Sequence, residues 1–157
     1  MSTLQWLLAL HVTGAFLFLG GSVFAAIFSV LALRGKRPSE VALFLGLTRV
    51  AVVAVVAGLV LALVVGLWLV HEAGYAYERP WIVASLVLLV AAGALGKIGG
   101  ERDGKTRKLA VRLAAEGDGP STELSARLRD PVTMALSWGA GACSIVILAL
   151  MIWKPGG

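Results

Sequence analysis

The sequence predicts an all-α integral membrane protein: a single four-helix transmembrane bundle over residues 1–157, both termini outside, with a short basic amphipathic helix on the cytoplasmic side. Three observations predict it. Of 157 residues, 59% are hydrophobic and only 15% charged, against roughly 45–50% and about 25% in a soluble domain. Mean hydropathy is +0.89. The charges gather between long apolar runs instead of scattering through them. This composition excludes a soluble enzyme, a disordered tail and a nucleic-acid-binding module. The net charge of +5 lies beside apolar runs, where anionic lipid is the expected partner. A lone Cys143 excludes a disulfide framework and a multi-cysteine metal site.

The first span covers about 4–33, with no Asp, Glu, Lys or Arg. A bilayer core of ~30 Å needs roughly 20 residues. MSTLQ lacks the basic start of a signal peptide, so the run reads as mature structure. The second span, about 41–71, is interrupted only by Arg49. The third, about 80–97, opens at Pro80, and the fourth, about 131–153, at Pro131 behind Asp130. Proline suits a first helical turn and aspartate caps one. Backbone groups in lipid must be satisfied within the segment, so each run is a helix. The alternation of a β-barrel is absent.

Charge sets the orientation. The 34–40 loop, Arg49, Lys97 and the 98–130 segment hold 12 of the 14 Lys and Arg. Basic residues are retained in the cytoplasm, so both termini face outward and the host is a bacterial plasma membrane. Trp6, Trp68, Trp81 and Trp153 fall near the outer helix ends, where indoles favour the headgroup level. Lys105, Lys108 and Arg112 against Leu109 and Leu113 make the basic amphipathic helix. Small residues repeat by four at Gly21/Ala25, Ala54/Gly58/Ala62/Gly66, Ala92/Gly96/Gly100 and Ser137/Gly141, as in tightly packed membrane helices and homodimers.

Ionisable groups at membrane depth are candidates for function. His11 lies about 7–8 Å deeper than Trp6. Its helical face continues through Gly14, Phe18 and Gly21, a shallow furrow against which a flat macrocycle could lie with imidazole on iron. The alternative is a His bonded to a neighbouring helix's serine or carbonyl. Arg49, read as roughly two turns inside the inner surface, is a candidate for a cofactor carboxylate or a lipid phosphate. His71, with Glu72, Tyr75, Tyr77 and Glu78, is a candidate metal ligand at the outer rim. GALGKIGG fails as a phosphate loop because Ile98 follows Lys97. The spans hold neither a carboxylate pair nor a Ser–His–Asp arrangement.

Short motifs run the length of the chain: Leu10-His11 with Phe18 and Gly21, Gly66-Leu67-Trp68-Leu69, Trp81-Ile82 with Leu86, Arg129-Asp130-Pro131 and Lys154-Pro155. In order and spacing the chain resembles the four-span bacterial proteins grouped around HemJ-type protoporphyrinogen oxidase and copper-resistance protein D, and in particular a predicted integral membrane protein branch of that group. The resemblance implies haem b held by His11. It does not carry oxidase activity: the third-span Lys of the HemJ-type enzymes has no counterpart in Ala84-Ser85-Leu86. Three roles stay open. They are a haem-binding electron-transfer, haem-handling or sensing protein, a cofactor-free accessory subunit or homodimer, and a small metal or solute transporter.

Overall fold

The computed structural model describes residues 2–154; Pro155, part of the Lys154-Pro155 motif, lies outside the described residues. Five helices follow one another: α1 Thr3–Arg34, α2 Pro38–Glu72, α3 Pro80–Ala115, α4 Thr122–Leu128 and α5 Pro131–Trp153. Among the described residues there is no strand. α1, α2, α3 and the α4–α5 stretch are each long and apolar enough to cross a membrane.

Local chemistry accounts for the helix starts. Ser2 and Gln5 form a capping box on α1, with Ser2 Oγ accepting from Gln5 N at 3.3 Å and Gln5 Oε1 from Ser2 N at 2.9 Å. Proline occupies the first turn of α2, α3 and α5, where its missing N–H costs nothing. Asp130 caps α5 through Thr133 N at 3.1 Å and holds Arg102 of α3 at 2.8 Å.

The basic stretch 105–114 is helical, as expected, but it is not a separate element. α3 runs through it without interruption for 36 residues, about 54 Å at 1.5 Å per residue. Ahead of the basic stretch, α3 contains Gly96, Gly99, Gly100 and Gly104. All four stay helical, because each costs only about 1 kcal/mol against alanine and their neighbours propagate the helix.

α1 pairs with α2 and α3 with α5, α2 and α3 join the two pairs, and α1 scarcely meets α5. The best-buried cluster is not mid-membrane. Ala32, Val41, Leu45, Leu109, Ala110 and Leu124 close together where α1 ends, α2 begins and α4 crosses. Arg102 contacts Asp130 at the foot of α5, so α3 continues past that level by 13 residues, about 20 Å. The cluster therefore sits at the end of the bundle that carries Arg34, Lys36 and Arg37 and the basic part of α3.

Candidate functional site

The α1–α2 seam is built on glycine. A Cβ on Gly14 would stand 2.7 Å from Ala62 N, and one on Gly21 2.9 Å from Val55 N. The two backbones can meet this closely only because those positions carry no side chain. Gly14 and Gly21, read from the sequence as a furrow for a macrocycle, are thus covered by α2. Sequence spacing shows that a face is small but not what fills it.

His11 sits at the outer edge of this seam. Its Nδ1 lies 3.0 Å from Ala62 O, and a Cβ on Gly66 would be 2.9 Å from its Cε1. A carbonyl oxygen can only accept, so Nδ1 carries the proton. In the neutral ring that leaves Nε2 as the lone-pair nitrogen.

The imidazole lines a cavity of about 440 Å³ in the outer half of the bundle, within the range of small-ligand sites. Its walls are almost wholly apolar. α1 contributes Leu8, Val12 and Phe18, α2 Leu59 and Leu63, α3 Leu86 and Leu89, and α5 Ile147 and Leu148. Polar chemistry enters at the outer mouth, from Tyr75, Trp81, Ser85 and Lys154. Tyr75 and Trp81 meet edge to face, 5.9 Å between centroids and 87° between planes. Lys154 Nζ lies 5.5 Å from the Tyr75 centroid and 5.7 Å from that of Trp81, in cation–π range of both. Arg79 adds a second cation, 5.6 Å from the same Tyr75 ring.

Trp81 departs from the aromatic belt expected of it. Trp6, Trp68 and Trp153 are exposed toward lipid, whereas Trp81 is only 5% exposed. The loop of residues 73–79 folds Tyr75 over it. That loop is pinned by Tyr77 Oη donating to Leu67 O at 3.2 Å.

The other expected site residues fall elsewhere. Arg49 is 23 residues from Glu72 along α2, about 35 Å, toward the end of the helix away from the cavity. It is exposed and does not line the cavity. His71 is exposed at the outer end of α2, and no group of three or more His, Cys, Asp or Glu able to hold a metal occurs among the described residues. A second, open depression is lined by the turn after α3 with Leu113 of α3 and Thr122 of α4.

The family described as "Predicted integral membrane protein (DUF2269)" matches residues 5–155. The chain belongs to this family. The match spans all four long helices, and with them the seam and the cavity. No curated protein and no solved structure matches the chain.

Proposed function

We propose that this integral membrane protein holds haem b in its outer-half cavity through His11, in an electron-transfer, haem-handling or sensing role in a bacterial plasma membrane. The observation behind the reading is the hydrogen bond from Nδ1–H to Ala62 O. Metal-binding histidines commonly donate their other ring N–H to a backbone carbonyl, which fixes the tautomer and leaves Nε2 basic. The donor set fits: one imidazole, the Phe18 ring, aliphatic walls and cations at the mouth that suit propionate carboxylates. The resemblance to HemJ-type proteins points the same way. When bound, haem supplies a one-electron centre. The chain's own part is to fix the imidazole from Ala62, to exclude water with Phe18, Leu63 and Leu89, and to offer cations at the rim. Besides His11, the cavity wall carries Met151 and Tyr75, whose sulfur and oxygen iron also accepts; the iron would be five-coordinate, or six-coordinate if one of these supplied a second ligand.

The test is the visible spectrum of the full chain purified in detergent from haem-replete cells. A Soret band present in the wild type and lost in His11→Ala supports the reading. A colourless, folded wild type that also fails to take up added hemin overturns it.

The basic inner end, with Arg34, Lys36, Arg37, Lys105 and Lys108, is assigned to the anionic inner leaflet. A second reading, a cofactor-free homodimer or accessory subunit, draws on α3. Cβ atoms on Gly93, Gly96, Gly100 and Gly104 would meet nothing within 4 Å, so this small-residue face is open to another helix. Dimers in mild detergent that dissociate in Gly96→Ile/Gly100→Ile, from a protein without a Soret band, would establish it.

A further inference from the structure

We propose that the outer mouth of the cavity is an acceptor site for one anionic oxygen group, carboxylate or phosphate, carried on an apolar body that reaches inward, with Trp81 Nε1–H and Lys154 Nζ as its donors. This rests on the reading of the cavity as a ligand site but not on iron.

The first support is an orphaned donor. Trp81 is 5% exposed, and its Nε1 is buried with no hydrogen-bond partner among the described residues. Buried indole N–H groups nearly always find an acceptor. The same rim shows which acceptor suits one: Trp68 Nε1 donates to Glu72 Oε1 at 3.2 Å. Trp81 has the same group in a drier place and no such carboxylate.

The second support is uncompensated positive charge. Lys154 Nζ lies 5.7 Å from the centre of the Trp81 ring, so the two donors stand on neighbouring side chains of one mouth. Lys154 takes the left-handed conformation, φ 41°, in which its backbone N–H closes α5 on Leu150 O at 2.9 Å. Among the described residues that line the cavity none is Asp or Glu, so these supply no counter-charge. The third support is shape. Below the mouth the walls are aliphatic and aromatic, which accept the body of an amphiphile and reject a small free anion.

A porphyrin propionate and a lipid headgroup share this chemistry, and paired probes separate them. The full chain in detergent is titrated with hemin and hemin dimethyl ester, followed by absorbance. It is also titrated with spin-labelled stearic acid and its methyl ester, followed by the immobilised fraction in the EPR spectrum. The variants are Lys154→Gln, Lys154→Arg, Trp81→Phe and His11→Ala.

The acid form of at least one pair binds the wild type roughly tenfold more tightly than its ester. That preference disappears in Lys154→Gln, survives in Lys154→Arg and weakens in Trp81→Phe. A preference confined to hemin names a porphyrin; one confined to stearate names a lipid. Should Trp81→Phe misfold, the Lys154 pair decides alone. The proposal is overturned if acid and ester bind equally, if the preference survives Lys154→Gln, or if neither pair binds. Stearate discrimination without hemin binding removes the haem reading and leaves the mouth standing. Hemin binding lost in His11→Ala but indifferent to esterification does the reverse.

Discussion

Gly58 of α2 lies against Gly14 of α1 so closely that a Cβ on Gly58 would stand 2.6 Å from the Gly14 carbonyl oxygen. This contact is backbone to backbone, and neither side can swing away as a side-chain tip would. The seam that carries His11 is therefore set by the absence of two side chains.

Gly58→Val should part α1 from α2 and destabilise the fold by about 1–3 kcal/mol, the usual scale of overpacking. Thermal unfolding in detergent, followed by circular dichroism, measures it. A variant melting with the wild type would show that the helices do not meet here.

Gly66→Ala should behave differently. The added methyl would lie 2.9 Å from His11 Cε1 and 3.0 Å from Nδ1, and the imidazole can turn away at little cost in stability. The Nδ1–H···O bond to Ala62 would then be lost. The chain has 2 histidines, so ¹⁵N-histidine NMR resolves the outcome. We expect His11 as the Nδ1–H tautomer in the wild type and a shift toward Nε2–H in the variant. The same tautomer in both would refute the assignment.

At the inner end, Asp118 Oδ1 accepts from Ser39 N at 2.8 Å and Oδ2 from Ser39 Oγ at 2.6 Å, which caps α2 from a turn 79 residues away in sequence. The Ser39 hydroxyl, then its backbone N–H, hold the Asp118 carboxyl below its ordinary value. A lowered carboxylate pKa stabilises the fold above the unfolded value of about 3.9, and that contribution is lost as pH falls through the lower folded value. Amide exchange in the first turn of α2 should accelerate below about pH 4, after correction for intrinsic rates. Asp118→Ala should show the faster exchange at neutral pH and no acid step. An acid step of the same size in Asp118→Ala would locate the titrating group elsewhere.

Asp130 does two things at once. It caps α5 through Thr133 N and Thr133 Oγ1, and it pairs with Arg102. The Thr133 bonds are the main reason its carboxyl lies below the usual range, with Arg102 assisting. Asparagine keeps a cap but loses the charge. We therefore expect Asp130→Asn to melt between the wild type and Asp130→Ala. Equal loss in both would mean that the ion pair, not the cap, matters.

Much of the architecture was legible in the sequence because lipid imposes a simple rule on each span. The apolar runs, Pro80 and Pro131, and the one-sided Lys and Arg gave four crossings, and the structure places four long helices on those runs. What sequence hid was tertiary. The third span and the basic helix read as two elements, yet α3 runs unbroken through both, because the glycines between them are flanked by chain that prefers a helix. Arg49 stood out as a charge in an apolar run, but the cavity opens on α2 from Leu59 onward, which a run of apolar letters does not show. His11 stood out as an imidazole in an apolar run, but its carbonyl partner comes from α2, 51 residues away. The mouth escaped notice altogether: Tyr75, Trp81 and Lys154 come from a loop, a helix start and a helix end. Each carried a signal of another kind: Tyr75 beside His71, Lys154 in a terminal motif, and Trp81 among outer indoles, which suggested lipid.

The cluster around Val41, Leu109 and Leu124 divides the molecule between two solvents. Urea added to vesicles at the face that carries this basic end should loosen that knob, while the four long apolar helices answer to the lipids around them. Denaturation should then proceed in two separable stages, with the inner end yielding while the outer chamber keeps its shape.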